Sequence, residues 1–197
     1  MMNFLLKSAL FFILVMPVYA MEFSVQHSGD SMEQKTLVLL KALRASHDLE
    51  KWEFTDKVHK DKKAIPHSHP ILTLHTRHEH KSQKYMLLST YIHEQIHWFA
   101  DENIENTHAA IAMLKQAFPK APVGYPQGAR DEESSYLHLI VCYLEQQALR
   151  EYLSETRVRA VFKFWQNDHY TWIYKQVELH QDLLARVITK SNFDLSK

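Results

Sequence analysis

The chain has a single cysteine in 197 residues, so no disulfide bond can form within it. Cys142 lies in the apolar stretch Ile-Val-Cys-Tyr-Leu at positions 140–144. A cysteine in such surroundings is typical of a buried structural thiol, because burial disfavours the thiolate that a nucleophile needs. We therefore expect no cysteine chemistry in the function of this protein.

Glycine is also scarce. Only three glycines are present, and two of them lie in residues 119–130 together with three of the six prolines. Glycine and proline interrupt helices, so their scarcity elsewhere favours a mostly helical fold with few tight turns. Residues 119–130 are predicted to form the one extended loop.

Neither sign of charge dominates, since 23 lysines and arginines balance 23 aspartates and glutamates. The chain has no basic field that would attract nucleic acid and no polybasic helix that would bind a membrane surface. We therefore expect no nucleic-acid partner.

The first 20 residues have the three parts of a secretory signal peptide. Lys7 lies in a short amino-terminal region, residues 9–16 are apolar, and Val18-Tyr19-Ala20 is a small-x-small cleavage site. The apolar part is too short to span a bilayer, and an uncleaved membrane anchor is the alternative interpretation. The expected mature chain, residues 21–197, is a single exported domain, periplasmic or secreted, with no stable membrane insertion after cleavage.

The apolar periodicity predicts six helices and two short strands. The helices are expected at about residues 31–47, 85–100, 107–118, 131–153, 155–165 and 170–190, and the strands at 52–58 and 71–74. Asp131 and Asp168 are the predicted N-caps of the fourth and the last helix, and residues 57–63 are predicted to be a solvated connection. The pattern predicts an α+β fold, mostly helical, with a short β-sheet packed on the helix at 85–100.

Within that helix, His93-Glu94-Gln95-Ile96-His97 forms an HExxH motif. Residues four apart lie on the same face of a helix, so both imidazoles can bind one zinc ion. Glu94 is then placed to take a proton from a zinc-bound water, which is the general-base role in a zinc peptidase. The motif predicts Zn²⁺ as the cofactor and Glu94 as the catalytic base.

The 14 histidines of the chain raise the probability that such a motif arises by chance. The alternative interpretation is a solvent-facing stripe of two histidines and one glutamate. The apolar residues 85–92 oppose it, because a helix this apolar would bury polar groups at a cost unless they had partners.

A catalytic zinc normally has three protein ligands and one open position for water. The predicted helix at 131–153 carries His138 and Glu145 in otherwise apolar surroundings. These two residues are about two helical turns apart and cannot easily bind the same ion. His138 is the preferred third ligand because it lies near the helix start, where we expect the site to open. Glu145 and then Glu133 are the alternatives, and whichever of His138 and Glu145 is not the ligand can orient a motif histidine.

Hydrolysis also needs donors for a developing oxyanion, and His169 and Tyr170, at the start of the last helix, are the candidates. The alternative is that this aromatic segment belongs to the core. The histidines at 67, 69, 75, 78 and 80 could bind metal as well, although a solvated loop is the simpler interpretation.

Taken together, these residues resemble the zincin metallopeptidases. The resemblance depends on the HExxH motif, the strand at 71–74 before it and the later helix that offers a ligand. The chain is also similar to a group of small exported bacterial zincin-like proteins, through residues 68–74, 93–98 and 138–145.

The zincin resemblance implies two further features. The strand at 71–75 would pair with an extended substrate, and a glutamate from a later helix, such as Glu145, would be the third ligand, as in the thermolysin-like zincins. The metzincin pattern is excluded, because it requires glycine and histidine where this chain has Ala100 and Asn103. Residues 132–135 lack the usual thermolysin-type ligand pattern.

The expected function is that of an exported zinc-dependent hydrolase, most of all a metallopeptidase that acts on peptides or proteins. A non-catalytic metal-binding or interaction protein that keeps zincin geometry is the alternative, although Glu94 offers no obvious advantage to a purely structural site. A helical domain without metal is the third interpretation.

Overall fold

The computed structural model describes residues 21–193 and residue 195, so the predicted signal peptide lies outside the described residues. Within them the elements follow in the order β1 (Glu22–Val25), α1 (Ser31–Ser46), β2 (Lys57–Lys60), β3 (Leu72–Leu74), α2 (Lys84–Glu102), α3 (Ile104–Ala117), α4 (Glu132–Tyr152), α5 (Glu155–Trp165), α6 (Thr171–Leu179) and α7 (Gln181–Lys190). The prediction of a mostly helical α+β fold is confirmed. No helix in this part of the chain is both long and apolar enough to cross a membrane.

The sheet has three parallel strands in the order β1-β2-β3, with Val58 of β2 opposite Leu72 of β3. The strand prediction at 52–58 is wrong, because Trp52 ends a short 3₁₀ turn and the strand begins only at Lys57. Residues 57–60 of the predicted solvated connection, 57–63, therefore form the central strand β2. Val58 and Lys60 are buried there, and the lysine disguises the apolar alternation that would have revealed the strand.

The longest helix, α4, packs against five other helices, α2, α3, α5, α6 and α7. Thirteen of its 21 residues are buried, which is why its sequence is apolar on nearly all sides. Asp131 caps its amino terminus as predicted, accepting a hydrogen bond from the amide of Ser134 at 2.7 Å. Cys142 is fully buried in this helix, as predicted, and burial raises the pKa of its thiol.

The HExxH motif lies on α2, which contacts α4 on one side and β3 on another. The two variable residues of the motif, Gln95 and Ile96, are both fully buried. The Gln95 amide accepts hydrogen bonds from the backbone amides of Phe54 and Thr55 and donates to the Thr55 carbonyl. These contacts fix the rotation of α2 about its axis and so direct His93, Glu94 and His97 towards a cavity.

The predicted last helix at 170–190 is two helices, because His180 leaves helical geometry with φ −125° and ψ 38°. The amide of His180 still donates to the carbonyl of Gln176, and its own carbonyl accepts from the amide of Leu184. The chain thus changes direction within one residue, without glycine or proline.

Asp168 is not the cap of this segment, contrary to the prediction. Tyr170 occupies the N-cap position of α6 in the left-handed region, with φ 50° and ψ 37°. The first two amides of α6 donate to the backbone carbonyls of Pro126 and Gln127 in the extended loop, at 2.9 and 3.2 Å. Loop carbonyls replace a capping side chain, and they hold Tyr170 at the rim of the same cavity.

Candidate metal centre

Three imidazoles meet where α2 packs against α4. His93 and His97 lie one turn apart on α2, and His138 faces them from the first part of α4. One ligand nitrogen from each ring lies within 4.8 Å of those from the other two. The ring centroids are 5.0 Å apart for His93 and His97, 5.4 Å for His93 and His138, and 4.9 Å for His97 and His138.

The spacing of these nitrogens suits a tetrahedral metal ion. The Nε2 atoms of His93 and His97 are 3.3 Å apart. Two nitrogens at about 2.0–2.1 Å from zinc with a tetrahedral angle between them are separated by roughly 3.3 Å. Three imidazoles that leave a fourth position open are also a donor set found at catalytic zinc. The residues present therefore fit this ion.

The other nitrogen of two of these rings has a partner that orients it. His138 Nδ1 lies 2.6 Å from the carbonyl oxygen of Ser134, so Nδ1 carries the proton and Nε2 keeps a free lone pair. His93 Nδ1 lies 3.0 Å from Glu145 Oε2. Such partners fix the tautomer and direct the lone pair of Nε2 towards a metal.

Glu145 has no solvent exposure and is surrounded by donors. Besides His93, it accepts hydrogen bonds from the hydroxyls of Ser89 and of Tyr174, the latter at 3.1 Å. The indole of Trp165 in turn donates to Ser89 Oγ at 2.8 Å. The carboxylate is thus satisfied by hydrogen bonds within the core.

His93, Cys142 and Glu145 form a second group whose potential ligand atoms lie within 4.8 Å of one another. The Glu145 contact uses Nδ1 of His93, and neither Cys142 nor Glu145 lines the cavity. A cation held there would have no open position for water, and the buried thiol would have to lose its proton. The two groups therefore use opposite nitrogens of the same His93 ring, and only the Nε2 side of that ring faces the cavity.

The remaining predicted ligands lie elsewhere. Glu133 is half-exposed and forms an ion pair with Lys115. Among the described residues the loop histidines form no group of three ligands. His69 stacks on Trp98 with ring centroids 4.1 Å apart, and His67 lines the cavity beside Glu94.

The cavity above the imidazoles has a volume of about 720 Å³. Its walls come from α2, the start of α4, the corner before α6 and the loops on either side of β3. Every residue of the predicted site except the alternative ligands Glu145 and Glu133 lines it, namely His93, Glu94, His97, His138, His169 and Tyr170. The fold thus brings together residues as distant in sequence as His93 and Tyr170, which are 77 positions apart.

Glu94 is almost completely buried, with 7% exposure, and burial raises the pKa of its carboxyl to about 7, against the lowering effect of His93 and His67. A carboxyl with such a pKa can both accept and return a proton near neutral pH.

The three imidazoles differ in charge preference. Burial lowers the pKa of His97, and burial together with the neighbouring His93 lowers that of His138 to about 3. Burial alone would lower the pKa of His93 too, but its contacts with Cys142 and Glu145 outweigh this and raise it. His97 and His138 are therefore uncharged at neutral pH, and Glu145 is the anion that favours a proton on His93 Nδ1.

Asp168 links Arg77 to the half-buried ring of His169, a role that the sequence did not reveal. Arg77 donates to both of its carboxylate oxygens, at 2.9 and 2.5 Å, and these bonds are the main cause that lowers the pKa of Asp168 to about 2. His169 Nδ1 lies 2.8 Å from Asp168 Oδ2. The ring of His169 is thereby held with its Nε2 edge free for the cavity, and burial lowers its pKa.

Tyr170 completes the rim beside this ring. Its ring centroid is 4.3 Å from that of His138, and burial raises the pKa of its phenol, so the hydroxyl stays protonated. The hydroxyl makes no hydrogen bond to any described residue and is available as a donor. A tyrosine with φ 50° is strained, and such strain is concentrated at functional sites.

The edge of β3 next to the cavity is partly occupied. The amide and the carbonyl of Thr73 both bond to the backbone of His67, at 2.8 and 3.1 Å. At this residue, the backbone groups that an added substrate strand would need are already paired within the chain.

No family model, curated protein or solved structure matches this chain. The zincin resemblance therefore stays a prediction.

Proposed function

We propose that the protein is a zinc-dependent hydrolase, most of all a peptidase, that acts after export. The observation that carries the proposal is the convergence of three imidazole nitrogens within 4.8 Å, beside a buried glutamate, in a cavity of about 720 Å³. A structural zinc site is closed by four protein ligands, whereas this group of three faces a cavity.

His93, His97 and His138 would hold the ion, and Glu145 would orient His93 through its hydrogen bond to Nδ1. When bound, zinc would supply Lewis acidity, which polarises a carbonyl group and makes water more acidic. This assignment prefers His138 to Glu145 as the third ligand. Glu145 contacts His93 Nδ1, away from the cavity, whereas His138 lines the cavity and has its Nδ1 bonded to the Ser134 carbonyl, which leaves Nε2 for the ion.

Glu94 would act as the general base. It lines the cavity next to the two motif histidines, and its raised pKa suits a group that takes a proton from water and returns it to the leaving amine. A metal site without catalysis would gain nothing from a buried carboxyl at this position.

Tyr170 and His169 would stabilise the negative charge that develops on the carbonyl oxygen. The phenol of Tyr170 keeps its proton and has no competing partner among the described residues. The His169 ring is oriented by Asp168, which Arg77 holds in place from the other side. Donors fixed before the reaction contribute most to such stabilisation.

Metal analysis tests the first step. We expect purified wild-type protein, dialysed against limiting zinc, to retain one zinc per chain, and His93→Ala and His138→Ala to lose it. His108→Ala removes an exposed histidine of α3 and is the matched control. A wild-type protein that retains no metal would overturn the proposal.

Activity tests the second step. We expect wild type to hydrolyse members of a fluorogenic peptide library, with the rate abolished by chelator and restored by zinc. Glu94→Gln should keep the metal and lose the activity. Zinc binding without hydrolysis of any peptide or ester would instead favour a non-catalytic metal-binding protein.

A further inference from the structure

The charge of the cavity wall differs from that of the whole chain. The chain carries equal numbers of basic and acidic side chains. The cavity is lined by four basic residues and two acidic ones, namely Lys62, Lys63, Arg77, Arg130, Glu94 and Asp168. A cleft lined by one sign of charge concentrates its field and attracts ligands of the opposite sign.

Three of the four cations have ion-pair partners, and two of these pairs are partly shielded from solvent. Arg77 is bound through both terminal nitrogens to Asp168. Lys62 forms an ion pair with Asp30, which does not line the cavity. These pairs contribute little net field to the cavity.

The other two cations of the lining, Lys63 and Arg130, are exposed to solvent. Lys63 is exposed, and its ammonium group forms no ion pair with any described residue. The Arg130 side chain is 88% exposed, and its one ion-pair partner among the described residues is Asp131, at 3.0 Å. This ion pair is more exposed than those of Lys62 and Arg77, so solvent screens it more strongly. Lys63 therefore faces the cavity from the β2–β3 loop without an ion pair, and Arg130 faces it from the start of α4 with only an exposed, solvent-screened partner.

The backbone below Lys63 is fixed rather than free. Its own amide donates to Asp61 Oδ1 at 2.8 Å, and the preceding amide, of Lys62, donates to Glu33 Oε1 at 3.1 Å. Glu33 is completely buried and also accepts the amide of His27 at 2.7 Å. A buried carboxylate thus holds the loop that presents Lys63 to the cavity.

We infer that this cleft selects acidic peptides, which carry a side-chain or terminal carboxylate close to the bond that is cleaved, and that Lys63 and Arg130 are the residues that determine this selectivity. The inference rests on the proposed hydrolase function. The only unpaired anion of the lining is Glu94, which lies at the floor beside the metal ligands, so the walls that contact the flanking residues of a substrate are cationic.

The test compares peptides of one sequence that differ only in glutamate, glutamine or lysine at the positions next to the cleaved bond. At low salt, kcat/KM should fall in that order by about threefold per exposed charge pair at roughly 6 Å in water. The difference should appear in KM, and it should shrink as sodium chloride is raised to about 0.5 M, because exposed charges are screened. This salt series uses wild-type protein alone.

Charge-reversed variants assign the selectivity. Lys63→Glu and Arg130→Glu should each lower kcat/KM for the glutamate peptide about tenfold, and the double variant should prefer the lysine peptide. The rate on the glutamine peptide should change by less than about twofold. Lys35→Glu makes the same charge change at an exposed position of α1 away from the cavity, and should alter none of these ratios.

Equal rates on the three peptides in wild type, or a preference that the double variant retains, would overturn the inference and leave the hydrolase intact. Failure of zinc-loaded wild type to cleave any peptide would overturn the hydrolase proposal as well, so the two failures are distinguishable.

Discussion

Glu145→Gln separates a residue that orients a metal ligand from one that binds the metal. In wild type the carboxylate accepts hydrogen bonds from His93 Nδ1, Ser89 and Tyr174. The variant has nearly the same volume but offers an N–H donor in place of one acceptor oxygen. Where that donor faces His93 Nδ1, the ring proton moves to Nε2 and competes with the metal for the lone pair.

The expected loss follows from these contacts. Substitution of a hydrogen-bond partner behind a metal-binding histidine lowers metal affinity by about 10–100-fold, which is about 1.4–2.8 kcal/mol. Glu145 has no solvent exposure, so water cannot replace the lost acceptor, and we expect the upper part of this range. His138→Ala removes a ligand and should lower the affinity much further.

Chelator competition at fixed pH measures both variants on one scale. We expect Glu145→Gln to bind one zinc with weakened affinity and His138→Ala to retain none after dialysis. Val141→Ala, at another fully buried position of α4 whose side chain makes no hydrogen bond, is the matched control and should bind zinc with an affinity close to that of wild type. The reverse ranking, in which Glu145→Gln loses the metal and His138→Ala keeps it, would refute the reasoning.

Three further predictions concern stability. Lys60 Nζ is buried without a hydrogen-bond partner among the described residues, and burial holds the pKa of Lys60 well below 10.5. Between that lowered pKa and pH 10.5 the amine is neutral in the folded state and charged in the unfolded state. Lys60→Met should therefore raise the free energy of unfolding by about 1–3 kcal/mol in urea titrations. It should also remove the gain in stability that wild type shows as the pH rises towards 10.5, and a loss of stability would contradict this. The pKa of Asp168, about 2 when folded against 3.8 when free, means that its ion pair with Arg77 stabilises the protein above pH 4 and is lost as the pH falls towards 2. Asp168→Asn should reduce the loss of unfolding free energy between pH 4 and pH 2 by about 1 kcal/mol, a small value because Arg77 is partly exposed to solvent. An unchanged loss over this pH range would argue against the ion pair. Gln95→Ala removes the acceptor of the Phe54 and Thr55 amides in the core and should lower the free energy of unfolding by about 3–4 kcal/mol in the same titration. A decrease below about 1 kcal/mol would show that this side chain does not hold residues 54–55 in place.

The parts of the site that were predictable from sequence depend on local periodicity. Helical spacing places His93 and His97 on one face, and the apolar run before them predicts the buried helix that the structure shows as α2. The position of His138 near an amino-terminal cap follows in the same way from Asp131 and the apolar run of α4. These features require no knowledge of a distant partner.

The features that were missed depend on distant partners. Asp168 was expected to cap a helix, yet its carboxylate binds Arg77, 91 residues away, and the cap is supplied by loop carbonyls. The strand β2 contains a lysine whose burial no pattern of polarity predicts. Whether His138 or Glu145 faces the Nε2 edge of His93 is decided by the packing of α4 on α2, which the sequence alone left open.

The central claim is that a buried glutamate and a three-histidine zinc site act together on a substrate. The most direct test is the zinc content and peptide-hydrolysis rate of wild type and Glu94→Gln, prepared and dialysed side by side. We expect one zinc per chain in both proteins, hydrolysis by wild type, and a rate at least about 100-fold lower in the variant, which is the usual contribution of a general base. Absence of zinc from wild type, or equal rates in the two zinc-loaded proteins, would contradict the claim.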